Sequence, residues 1–88
     1  MKLRTDANQA AIIRDLRAIG ASVQDLSKVG RGCPDILVGW RGNCYLLEIK
    51  TAKGKLNALQ VEWHESWRGQ VAVVRDAREA MRVIGVKL

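Results

Sequence analysis

The chain has 88 residues, room for one domain with one modest core, so residues 1–88 read as a single unit. It is 48% hydrophobic and 27% charged, the balance of a soluble globular protein, and no apolar run is long enough to cross a bilayer. Its 15 Lys and Arg outweigh 9 Asp and Glu for a net charge of +6, which fits a polyanionic partner such as nucleic acid or simply a solvated positive face.

No signal-peptide pattern opens the sequence, so a cytoplasmic location is expected. Cys33 and Cys44 lack CxxC spacing and His64 is the single histidine, too few ligands for a Cys/His metal site. Both cysteines are expected to be reduced, structural thiols.

Asp6 followed by Gln9 reads as a helix cap, and Ile12, Ile13, Leu16 and Ile19 recur at helical spacing until Gly20 stops the helix. Ala21 to Leu26 reads as a short strand, and SKVGRGCP after it as a loop rich in breakers. ILVGW and CYLLEIK flank the turn signal RGN and predict a β-hairpin. TAKGKLN is a basic loop, after which Leu59, Trp63 and Trp67 at i, i+4 and i+8 mark a second helix ending before Gly69. QVAVVR is a nearly continuous apolar strand suited to a sheet interior. Asp76 with Glu79 forms a capping box for a last short helix carrying Ala80, Met81, Val83 and Ile84. The order is α-β-β-β-α-β-α, with no repeat, linker or low-complexity segment.

The charges concentrate around the hairpin. Between Asp25 and Glu62 the acids are Asp35 and Glu48, in a field of Lys28, Arg31, Arg41, Lys50, Lys53 and Lys55. A two-residue turn at Arg41 and Gly42 pairs Trp40 with Asn43 and sets Asp35 opposite Glu48, where Cβ atoms lie about 4.5 to 5.5 Å apart. Glu48 and Lys50 then share one face of their strand, with Leu47 and Ile49 on the other. Two carboxylates this close repel unless a proton or a cation joins them, and oxygen donors select a hard ion, Mg²⁺ or Mn²⁺. Such an ion with Lys50 beside it makes a phosphodiester-cleaving site. The plainer alternative is that Asp35 caps a turn after Pro34 while Glu48 and Lys50 pair on a solvent-facing strand. The facing acids, the basic loop and the sign of the charge favour the first.

The same residues carry a resemblance. Pro34-Asp35, the EIK of Glu48 to Lys50 and the element order resemble the PD-(D/E)XK nuclease superfamily. Within it, GCPDILVG and LLEIKTAKGKLNALQVEWHESWRGQVAVVRDAREA look like the VRR-NUC (virus-type replication-repair nuclease) family, over nearly the whole chain. The resemblance implies an α/β fold: a restriction-endonuclease-like αβββαβ core with a short C-terminal helix and a mixed central sheet. It implies metal binding by Asp35, Glu48 and the backbone carbonyl of Ile49, catalytic assistance by Lys50, and an active-site Gln matched by Gln60. Many superfamily members carry a Glu on the first helix; this chain has Asn8 and Gln9 there, with Asp6 and Asp15 off that position, so a second, fully carboxylate-ligated metal does not follow.

Lys53 and Lys55, just after the catalytic strand, are expected to contact DNA phosphates, together with Lys28 and Arg31. Trp63 and Trp67 read as core or interface packing, Trp40 as ambiguous, and His64 as a surface residue. The expected activity is a metal-dependent endonuclease. Stand-alone viral members imply branched DNA, such as four-way (Holliday) junctions, as substrate, a homodimer as the form, and the host cytoplasm as location. The competing expectations are a monomeric flap or nick-directed nuclease and a non-catalytic DNA-binding module on the same fold.

Overall fold

The computed structural model describes residues 3–88, with side chains described from Ala7 onward. The elements are α1 (Leu3–Ala18), β1 (Ser22–Asp25), β2 (Ile36–Trp40), β3 (Asn43–Ile49), α2 (Ala58–Ser66), β4 (Val71–Val74) and α3 (Ala77–Val83), in the predicted order.

The Arg41–Gly42 turn sets the sheet. Both residues have positive φ, 49° and 83°, the geometry of a type I′ turn whose twist matches the strands it joins. Its two-residue length fixes the register from Trp40↔Asn43 to Ile36↔Leu47; beyond it the ladder is irregular, because the Asp35 N–H also turns to the Leu47 carbonyl. The four strands lie in the order β1-β2-β3-β4; β1, β2 and β3 are antiparallel neighbours and β4 runs parallel to β3, giving the mixed sheet expected.

Alternation divides the sheet into two faces. Ile36, Val38, Leu47, Ile49 and Val74 point to one, where they meet Ile12 and Leu16 of α1 and Ala80 and Ile84 from α3 and its C-cap in the core. Leu46 and Glu48 point to the other, where Glu48 meets Gln60 of α2, a helix that buries no residue of its own. Gly20, at φ +98°, ends α1 with its N–H donating to the Arg17 carbonyl at 3.0 Å, a turn that a side chain would strain. Among the described residues no helix is long and apolar enough to cross a membrane.

Several sequence expectations are corrected. α1 begins at Leu3, so Asp6 lies within the helix and does not cap it; the Asp6 side chain is outside the described residues. β1 is Ser22–Asp25, shorter than Ala21 to Leu26. β4 is an edge strand; its apolar run reflects one face sealed by the core at Val74, not pairing on both sides. Asp76 caps α3 by accepting the Glu79 N–H at 2.8 Å, but the Glu79 carboxylate bonds the Arg75 N–H at 2.9 Å, one residue earlier than in a capping box. Of the core or interface packing expected for Trp63 and Trp67, the core is overturned: they stack on each other at 4.7 Å, and Trp67 is 44% exposed. Cys33 is half-buried and Cys44 exposed, both as unpaired thiols.

Candidate active site

Pro34 is fully buried and has no N–H to offer a ladder, so regular pairing stops there. Asp35 takes over. Its N–H donates to the Leu47 carbonyl at 3.1 Å, its carbonyl accepts from the Leu26 N–H at 2.8 Å, and its Oδ2 accepts from the Ile49 N–H at 2.7 Å. The side chain thus replaces a backbone acceptor, which fixes one carboxylate oxygen at the end of β3.

Glu48 is 1% exposed, a rare condition for a carboxylate. Its Oε2 accepts from Gln60 Nε2 at 3.2 Å and lies 3.8 Å from Lys50 Nζ. Its Oε1 is buried and has no hydrogen-bond partner. Burial, then the neighbouring Asp35 carboxylate, push the Glu48 carboxyl up to about 8, against the opposing pull of Lys50. The solvent-facing ion pair is therefore excluded for Glu48: the strand directs it into the protein.

Gln60 is aimed by the start of α2. Asn57 and Gln60 form a reciprocal capping box: the Gln60 N–H donates to Asn57 Oδ1 at 3.0 Å, and the Asn57 N–H donates to Gln60 Oε1 at 2.9 Å. With Oε1 held by a donor, Nε2 is the atom left to face Glu48. The cap was legible as N-x-x-Q in the sequence, but the role of Asn57 was missed. The helix start is packed on the β1–β2 loop, where a Cβ on Gly32 would stand 2.4 Å from the Leu59 carbonyl oxygen.

Asp35, Glu48, Lys50 and Gln60 line one cleft of about 270 Å³, together with Ile49, Thr51, Gly54 and Lys55. Ile49 contributes main chain, because its side chain is in the core. Lys53, Lys28 and Arg31 are exposed and do not line this cleft. Asn8 and Gln9 do not line it either: Asn8 Nδ2 donates to the carbonyls of Lys50 at 3.3 Å and Arg75 at 3.2 Å, and Gln9 borders a separate hollow with Asp25 and Ser27. His64 is half-buried, not a surface residue; its Nε2 lacks a partner, and burial and the nearby Lys50 charge lower its pKa. Burial and the charges of Glu48 and Asp35 raise the Cys33 thiol, which keeps it protonated.

Among the described residues no three His, Cys, Asp or Glu side chains gather into a metal cluster. The donors at hand are two carboxylates and main-chain oxygen. Their chemistry suits a hard cation: an unpartnered buried oxygen on Glu48, whose carboxyl burial and the Asp35 charge keep from ionising freely, is the kind of donor a divalent ion satisfies.

A mixed sheet flanked by α1 and α3, with Asp35 and Glu-x-Lys at the rim of its other face, defines the restriction-endonuclease-like α/β class. In comparisons with known proteins, no family sequence model and no curated protein matches the chain. A solved VRR_NUC domain is similar to it at 30% sequence identity and a TM-score of 0.72, over 90% of this chain and 91% of that one. The chain belongs to the VRR-NUC family, a family of nucleases.

Proposed function

We propose that this chain is a metal-dependent endodeoxyribonuclease, in which Asp35, Glu48 and the backbone carbonyl of Ile49 hold one Mg²⁺ or Mn²⁺. The observation that carries this is the buried Glu48, facing Asp35 with Oε1 unpartnered. When bound, the ion supplies Lewis-acid neutralisation of phosphoryl charge. Lys50 brings an ammonium group to the same cleft, where it orients the attacking water and offsets charge that builds on the phosphoryl oxygens. Gln60 holds Oε2 of Glu48 and so leaves Oε1 as the free donor atom. Lys55, which lines the cleft, contacts backbone phosphates without reading sequence, and Lys53, Lys28 and Arg31 add phosphate contacts outside it.

The substrate is branched DNA such as a four-way junction, and the active form is a two-fold homodimer. Two coordinated cuts need two such sites related by symmetry. Exposed apolar side chains on α2 and its C-cap, Leu59 at 59%, Val61 and Trp67, the last stacked on half-buried Trp63, supply a contact face.

The test is cleavage of linear, nicked, flapped and four-way DNA with Mg²⁺, Mn²⁺, Ca²⁺ or EDTA, alongside sedimentation. Cutting of four-way DNA in Mg²⁺ or Mn²⁺ alone, by a species of about twice the 9.8 kDa chain mass, is expected. Cutting of flapped or nicked DNA by a monomer makes this a flap or nick-directed nuclease. Binding without cutting in any metal makes it a DNA-binding module.

A further inference from the structure

Arg75 follows β4 and is absent from the cleft lining, yet it joins three parts of the molecule. Its N–H donates to Glu79 Oε1 at 2.9 Å, and its carbonyl accepts from Asn8 Nδ2 at 3.2 Å. With both main-chain groups held by α1 and α3, its side chain extends to the loop after β3. There Nη1 donates to the carbonyls of Thr51 at 2.6 Å and Gly54 at 2.8 Å, with Ala52 at 3.5 Å.

Those carbonyls belong to a tight turn, closed by the Gly54 N–H donating to Thr51 at 3.0 Å. The turn has little room to change: a Cβ on Gly54 would lie 3.2 Å from Thr51 Oγ1. Carbonyls converging on one side repel unless a cation draws them together, and a guanidinium is that cation. Arg75 has no carboxylate partner among the described residues, so its charge is committed to the turn. Thr51, Gly54 and Lys55 form one wall of the cleft that holds Glu48 and Lys50.

We propose that Arg75 is a positioning residue: by clamping the Thr51–Gly54 turn, it holds Lys55 where the DNA backbone enters the cleft. The proposal rests on the nuclease reading for its substrate, but the clamp itself concerns the chain alone. Lys50 is anchored separately, its N–H to Val74 at 3.0 Å and its carbonyl to Asn8. Loss of Arg75 should therefore weaken DNA binding more than it slows the chemical step.

The experiment compares wild type with Arg75→Ala, Arg75→Lys, Lys55→Ala and the Arg75→Ala/Lys55→Ala pair. It measures kcat and KM for four-way DNA in Mg²⁺, and hydrogen exchange of the Gly54 N–H without DNA. In Arg75→Ala, exchange at Gly54 should quicken about tenfold or more and KM should rise by a similar factor, as expected for a lost charge-assisted bond, while kcat changes less than about threefold. Arg75→Ala should add little to KM once Lys55 is already Ala, because both act through one contact. Arg75→Lys keeps the charge on a shorter reach and should fall between wild type and Arg75→Ala in both exchange and KM.

Unchanged exchange at Gly54 in folded Arg75→Ala overturns the clamp. Full independence of the two effects on KM, or full rescue of KM by Arg75→Lys while Gly54 still exchanges fast, assigns Arg75 a direct electrostatic role and overturns positioning. If wild type cuts no DNA, the nuclease reading fails by itself, and the exchange rate at Gly54 still decides whether Arg75 holds the turn.

Discussion

Leu47 and Glu48 are neighbours in β3, both essentially inaccessible to solvent, and they point into different kinds of interior. Leu47 meets α1, α3 and the aliphatic side chains of β2 and β4. Glu48 meets another carboxyl, an ammonium and an amide. On the first face burial stabilises the fold, since each apolar side chain removed from water contributes about 1.5 to 3 kcal/mol. On the second face burial costs, because a carboxylate has lost its water and found only part of a replacement. The sheet thus uses one face to stabilise the fold and the other to hold a carboxylate poorly satisfied, which is the condition for binding a cation.

Substitutions on the two faces should have opposite signatures. Glu48→Gln keeps the side-chain volume and removes the charge; it should lower cleavage about 10² to 10³-fold or more, as removal of a charge-stabilising group does. The same variant should be more stable than wild type at pH 8 and above without divalent ions. Leu47→Ala should do the reverse, losing about 2 to 5 kcal/mol of stability while each folded molecule retains its chemistry. Urea unfolding and a cleavage assay on both variants check this. Stability loss in Glu48→Gln, or normal turnover in it, would break the contrast.

A smaller effect follows from the titration of Glu48. Its carboxyl is pushed up to about 8 from an ordinary 4.5, so between those values the folded chain holds a proton that the unfolded chain has released. Stability contributed by that proton is fully present below pH 4.5 and is lost as pH rises through about 8. Without divalent ions, wild-type stability should therefore fall across this window by an amount on the order of a few kcal/mol, with Glu48→Gln losing less. Divalent ions bind the ionised pair and should oppose the fall: Mg²⁺ or Ca²⁺ at about 100 times its Kd should restore about 2.7 kcal/mol in wild type and much less in Glu48→Gln. Thermal unfolding at pH 5, 7 and 9, with and without the ion, measures both.

The two faces were also unequally legible in the sequence. Alternation in CYLLEIK and the RGN turn were enough to give the hairpin register and to bring Asp35 and Glu48 to one cleft, because a two-residue turn leaves one register. The irregular ladder at Asp35, bonded to Leu47 and Ile49 instead of paired with Glu48, was not legible. Gln60 was located by family resemblance; the Asn57 cap that aims it was local and visible, three residues upstream. Asn8 and Arg75 had no local signal. Their bond joins positions 67 residues apart, and Asn8 reaches Lys50 across 42. The tryptophans misled for a physical reason. Their i, i+4 spacing is that of a helix packing into a core, but α2 is tied down at its start, through Gln60 and the Gly32 contact, and its aromatic pair packs largely on itself.

The smallest expected effect lies at the rim, where the two sides of the molecule are compared by charge instead of burial. Lys55 lines the cleft, Lys53 lies within the Thr51–Gly54 turn, and Arg14 lies on α1, whose buried side chains pack against the opposite face and whose Arg14 is already paired with Asp15 at 3.1 Å. Each phosphate contact releases condensed counterions, so its loss lowers the slope of log K against log salt by about 0.9 on duplex DNA. Lys55→Ala should lower the slope by close to that amount, Lys53→Ala by less, and Arg14→Ala not at all, with binding measured in Ca²⁺ over a range of salt. The change should be the same on every duplex sequence, because phosphates carry no sequence information. Equal slopes for Lys55→Ala and Arg14→Ala would mean that DNA approaches with no preference for the Glu48 face. The carboxylate pair would then lie away from the DNA, and the cleft could not be the place where a phosphodiester bond is cut.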